Sequence, residues 1–212
     1  MNLEFSKQLM EKLRRDGAIQ VVFDYLRDKF FFKTIVKYVI NWKYKSQAVE
    51  LVDWLTFNYY VKSKVKTELS DLQRINDKDS VVRQTLMYII NRFDYVGDMQ
   101  VWGVNEYWQS PKETWMKLTG DCEDGAIALY CLLNWLGIQD DSLYIVAGDV
   151  QGGGHCYLVY RSENDGLEYP IDWCYWPATS ASMKIPYVKR PEYNYGDTEW
   201  FRFNLSGSYK EK

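Results

Sequence analysis

Cys122 in Gly120-Asp121-Cys122-Glu123-Asp124-Gly125, the single histidine His155, and Asp172 in Pro170-Ile171-Asp172-Trp173 follow one another along the chain. A thiol needs a base to become a nucleophile near neutral pH, and imidazole is the side chain that titrates there. Acid-base chemistry in that range therefore falls to His155. The set predicts cysteine acyl transfer, with Cys122 as nucleophile, His155 as proton carrier and Asp172 as the group that orients and balances the imidazole.

The local charge around Cys122 pulls in two directions. At the first turn of a helix the thiol feels the positive end of the macrodipole, which favours a thiolate, and free N–H groups there can face an oxyanion. Asp121, Glu123 and Asp124 oppose this, and a protonated His155 is needed to tip the balance. Gln109 offers a side-chain donor for the oxyanion, or is simply a surface loop residue. Cys122, Cys131, Cys156 and Cys174 contain no CxxC pair, so neither a disulfide framework nor a structural zinc site with His155 fits their spacing.

Positioning these groups requires one helix and at least three strands. Asp121 is a fitting N-cap with Asp124 three residues on, and Cys122, Ala126, Leu129, Leu133 and Leu136 form one apolar stripe before Gly137. Pro111 to Lys117 reads as a short helix. Beyond Gly137 the pattern changes to strands at Leu143 to Asp149, His155 to Arg161 and Leu167 to Trp173, an antiparallel meander. A four-residue turn from Ser162 to Asp165 would pair Arg161 with Gly166 and set His155 opposite Asp172 on one face. Glu199 to Asn204 alternates enough for a closing strand. Trp102, Trp108 and Trp173 are candidate cleft walls, with a core role the competing reading for each.

Residues 2 to 93 carry mainly helical periodicity, with stripes at Ile19, Val22, Phe23, Leu26 and Phe30 and at Val82, Leu86, Ile89, Ile90 and Phe93; Asp79-Ser80 can cap the second helix. Residues 1–69 hold 13 Lys/Arg against 8 Asp/Glu, the remainder 13 against 21, so the two parts differ in sign. A solvated helical face explains the basic part, and nucleic-acid binding is not expected; the N-terminal helices are instead candidates for contact with a partner or a membrane surface. Lys33 and Lys37 interrupt the best apolar run, so no transmembrane segment is expected, and the start lacks an apolar signal region. A soluble, cytoplasmic protein is expected.

Glu106-Tyr107-Trp108-Gln109-Ser110-Pro111, then Gly120-Asp121-Cys122-Glu123-Asp124-Gly125-Ala126, then Gly154-His155, then Ile171-Asp172-Trp173 resemble, in order, the blocks of the transglutaminase-like cysteine peptidases. Trp102-Gly103 falls where the bacterial adhesin-processing members have a similar pair, while Asp172 to Trp176 looks closer to compact relatives from phage genomes. The resemblance implies an α+β, papain-like core with helices packed on an antiparallel sheet. It also implies a Cys122–His155–Asp172 triad, no required cofactor and a protein or peptide substrate. In some bacterial members acidic residues around the nucleophile bind calcium. Asp121, Glu123 and Asp124 match those positions, though three acids in a first turn also serve as helix-capping charge.

The expected organisation is an N-terminal helical extension over 1–75 and a catalytic domain over 76–212. The expected function is hydrolysis or acyl transfer at peptide or side-chain amide bonds through an acyl-enzyme. The alternative is a non-catalytic binding or virion-assembly module on the same fold.

Overall fold

The computed structural model describes residues 36–42, 45–52, 65–175, 195, 198–205 and 207–209. The architecture is α+β. Strands β1 (Val36–Trp42) and β2 (Lys45–Val52) form an antiparallel pair, followed by the short α1 (Lys66–Leu69), a 3-10 turn over Ser70–Arg74 and α2 (Lys78–Ile90). Next come β3 (Asp94–Tyr95), α3 (Asp98–Val101), α4 (Pro111–Lys117), β4 (Thr119–Gly120) and α5 (Cys122–Trp135). Then follow β5 (Leu143–Val150), β6 (Gly153–Arg161), β7 (Glu168–Ile171), β8 (Glu199–Asn204) and β9 (Gly207–Tyr209). Among the described residues no helix is long and apolar enough to cross a membrane.

The main sheet has the order β7-β6-β5-β8-β9, antiparallel throughout, so β8 adds to the edge of the predicted meander away from β7. Helix α5 packs on β6, with α2 and α4 against it. One apolar stripe was expected on α5, yet every residue from Glu123 to Leu133 is buried. The reason lies in its other faces: Ile127, Ala128, Tyr130, Cys131 and Leu132 are also apolar, and a helix apolar all round is a central one. It stops at Gly137, whose φ of +92° suits glycine, where Ile138 N–H donates to Leu133 O and Gly137 N–H to Asn134 O.

Two expectations for the N-terminal half are corrected. Val36–Trp42 and Lys45–Val52 pair as antiparallel strands, with Val39 opposite Ala48, instead of continuing a helix. Val36-Lys37-Tyr38-Val39-Ile40-Asn41-Trp42 is rich in β-branched and aromatic residues, whose strand preference overrides the helical spacing read across them. The stripe from Ile19 to Phe30 lies outside the described residues.

Nor does Asp79 cap α2. Asp77 takes the N-cap position, Ser80 Oγ donates to it at 2.6 Å, and Asp79 turns inward. Its carboxylate accepts from Tyr160 Oη at 2.9 Å, Ser162 Oγ at 2.8 Å and Asn164 Nδ2 at 2.9 Å. These bonds fix the start of α2 to the β6–β7 turn.

Candidate active site

The β6–β7 register differs from the expected one by two residues. Arg161 pairs with Glu168 and Leu158 with Ile171, because the turn runs from Ser162 to Leu167 with Gly166 at a φ of +74°. A slip of two preserves the face that each side chain occupies, where a slip of one would reverse it. Asp172, just past β7, therefore still meets His155, now as a diagonal neighbour: His155 Nε2 lies 2.7 Å from Asp172 Oδ2. The two side chains are 5% and 1% exposed, so water does little to screen the contact.

Every oxygen of Asp172 is engaged. Oδ2 also accepts from Tyr195 Oη at 2.6 Å, and Oδ1 accepts from the Cys174 N–H at 2.8 Å. A ring nitrogen facing a carboxylate carries the proton, which leaves Nδ1 of the neutral imidazole as an acceptor. Tyr175 covers the imidazole with centroids 4.6 Å apart, and Tyr157 is stacked at 6.2 Å.

Cys122 is half-buried at the first position of α5, directly after the N-cap Asp121. Two constraints hold this point of the chain to the Asp172 segment. Trp173 Nε1 donates to Cys122 O at 3.2 Å. The indole also lies so close to α5 that a Cβ on Gly125 would meet it at 2.1 Å. Gly120 is similarly tight, since a Cβ there would meet Asp124 Cβ at 2.5 Å. The two glycines bracketing Cys122 are thus places of close approach.

The Cys122 thiol donates to Glu123 Oε2 at 3.0 Å. Burial pushes its pKa up, and the neighbouring Glu123 and Asp121 push the same way. In this arrangement these effects outweigh the helix N-terminus, which by itself favours a thiolate.

The acids around Cys122 form a larger cluster than the sequence motif suggests. Oxygens of Asp98, Asp121 and Asp124 lie within 4.8 Å of one another, as do those of Asp98, Glu106 and Glu123. Burial, followed by the charge of Asp121, raises the pKa of Asp98 to about 7 and of Asp124 to about 8. Glu123 is pushed up by burial and then by Asp121 and Asp124, and Asp121 is raised chiefly by burial. Asp98 Oδ1, Asp121 Oδ1 and Glu123 Oε1 are buried with no hydrogen-bond partner. Carboxylate oxygens left without donors this close together are compatible with a hard cation such as calcium.

Asp124 differs from the other three. Its Oδ1 accepts from Gln109 N–H at 2.7 Å, and its Oδ2 accepts from Gln109 Nε2 and from Asp121 N–H, the latter at 3.3 Å. Gln109 Nε2 also donates to Thr119 O at 3.1 Å. Both amide hydrogens of Gln109 are therefore engaged, and the residue braces Asp124 and the strand before Cys122.

The three tryptophans part ways. Trp108 is 2% exposed in the core, its Nε1 donating to Glu106 Oε1 at 2.8 Å. Trp173 is buried against α5. Trp102 is half-buried, with the Tyr107 ring 4.6 Å away and Lys117 Nζ 4.5 Å from its centroid. Sequence reasoning missed Asp98 and Tyr195. Asp98 sits in a turn-rich stretch with no ligand spacing to mark it, and Tyr195 is one of 18 tyrosines.

No protein-family model and no curated protein matches the chain. Solved structures of LapG from Legionella pneumophila do. The calcium-bound form is 22% identical over 74% of this chain and 78% of its own, with a TM-score of 0.50. The EGTA-treated form is 22% identical over 74% and 77%, also at 0.50. The likeness is one of fold.

Proposed function

We propose that the protein is a transglutaminase-like cysteine hydrolase or acyltransferase acting on peptide or side-chain amide bonds of a protein substrate. Its catalytic unit is residues 76–212, and its triad is Cys122, His155 and Asp172. The observation that carries this reading is the buried 2.7 Å contact of His155 Nε2 with Asp172 Oδ2, on a segment tied through Trp173 to the backbone of Cys122.

With Nε2 held by Asp172, Nδ1 takes the thiol proton once Cys122 turns from Glu123 toward the imidazole. The thiolate attacks the substrate carbonyl carbon, and the oxyanion meets first-turn N–H groups of α5 that lack intrahelical partners. The imidazolium returns the proton to the leaving amine as the C–N bond breaks, which leaves a thioester on Cys122. Water then releases an acid, or a primary amine forms a new amide, with His155 as base in either case. Trp102 remains a candidate substrate contact.

The acidic cluster fits calcium, and the calcium-bound state of LapG supports the assignment. Asp98, Asp121 and Asp124 would hold the ion, with Glu106 and Glu123 beside them and Asp124 braced by Gln109. Calcium bound there would supply positive charge next to Cys122. The chain's own contribution is to keep these carboxylates buried and close, and to orient Asp121 and Glu123 through the first turn of α5.

The test is incubation of the full-length protein with a proteome, with and without a fluorescent primary amine, followed by mass spectrometry. New protein termini or deamidated glutamines that depend on Cys122 indicate hydrolysis, and amine incorporation at glutamine indicates transamidation. None of these products, with calcium present, overturns the reading in favour of a binding or assembly module.

A further inference from the structure

Asp172 Oδ2 is shared between two donors. His155 Nε2 stands 2.7 Å from it and Tyr195 Oη 2.6 Å, while the Cys174 N–H holds the other oxygen at 2.8 Å. Tyr195 comes from the segment leading into β8, far along the chain from β6 and β7. Its ring is buried with Val146, Val150, Tyr157 and Val159, and Tyr157 meets it edge-on at 5.0 Å while stacking on His155. The residue is only 7% exposed, so the phenol is enclosed where its hydroxyl meets Asp172.

We propose that Tyr195 is a positioning residue for the triad: it locks the Asp172 carboxylate and draws off part of its charge, limiting how strongly Asp172 holds the imidazole proton. The role rests on the catalytic reading above. Two donors on one oxygen compete for its electron density, so each weakens the other. An imidazolium gripped too strongly by its carboxylate is a poor acid for the leaving amine, and the shared oxygen moderates that grip. Fixing the carboxylate also holds His155 in the tautomer that turns Nδ1 outward.

The single histidine of the chain makes this directly measurable. In full-length protein labelled with 15N-histidine, the imidazole Nε2 proton is one resonance, and its chemical shift reports the strength of the bond to Asp172. Tyr195→Phe keeps the ring and removes the hydroxyl, and the resonance moves downfield. Site-specific 3-fluorotyrosine at position 195, nearly isosteric and a stronger donor, moves it upfield and serves equally if the phenylalanine variant fails to fold.

A resonance that stays within its linewidth in the folded variants, or moves in the opposite sense, overturns the role of Tyr195. The underlying triad is checked separately by iodoacetamide capture of Cys122. If that capture is unchanged in His155→Ala, the catalytic reading fails and the role assigned to Tyr195 fails with it.

Discussion

Two buried polar groups lie around the N-terminus of α5 and differ in how their oxygens are satisfied. Asp172 accepts from His155, Tyr195 and Cys174, so both oxygens are engaged. Asp98, Asp121 and Glu123 each keep an oxygen with no donor, and all three are pushed toward the protonated form. A buried carboxylate with a full set of donors is a rigid charge that can orient another group. Carboxylates that each keep one buried oxygen without a donor suit the cation proposed for this site. The same residue type thus stands in two different settings, and the donors around it make the difference.

The largest predicted effect breaks the satisfied side. Asp172→Asn keeps the shape but presents an amide to His155, and turnover in the proteome assay falls by about 10³- to 10⁴-fold. A loss smaller than about tenfold would mean that Asp172 does not orient a catalytic base. Next in size is Gly125→Ala, which forces Trp173 away from α5 and separates the Asp172 segment from Cys122. Urea unfolding should show a loss of about 1–3 kcal/mol, and an unchanged midpoint would mean the indole is not seated there.

On the unsatisfied side the sign reverses. Glu123→Gln removes a carboxyl whose ionised form burial, Asp121 and Asp124 disfavour, and raises the stability of cation-free protein at pH 8 by about 1 kcal/mol. The same change weakens stabilisation by calcium, and a variant less stable than its parent without calcium would contradict the repulsion.

The same side also predicts a pH dependence. Asp98 and Asp124, at about 7 and about 8, stand above their ordinary value of 3.8, so the folded state binds more protons than the unfolded one between those limits. Stability of the cation-free protein therefore falls as pH rises from about 4 to about 8. Calcium should raise the melting temperature more at pH 8 than at pH 5. A melting temperature that climbs with pH in a chelator would contradict the shifts.

Much of this was legible in the sequence because it is local. Asp121 and Gly137 delimit α5, Pro111 to Lys117 forms the short helix expected there as α4, and β5, β6 and β8 appear where period-two alternation places them. The meeting of His155 with Asp172 survived a misjudged turn length, because an even slip leaves faces unchanged.

What escaped is what depends on distant parts of the chain. Asp79 looks like a cap by position, yet the Tyr160, Ser162 and Asn164 donors more than eighty residues away draw it inward. Asp98 joins Asp121 only through the fold. Gly120 and Gly125 read as motif glycines, while their reason, the approach of Asp124 and of Trp173, is tertiary.

The central claim is that the Cys122 thiol is served by His155, and competitive labelling tests it most directly. Full-length protein, with calcium present, is treated with limiting iodoacetamide at neutral pH, and each cysteine is quantified by mass spectrometry in the parent and in His155→Ala. The account predicts that Cys122 is modified well ahead of Cys131, Cys156 and Cys174, and that the advantage disappears in the variant. Labelling of Cys122 no faster than half-buried Cys174, or an advantage that persists without the imidazole, would contradict it.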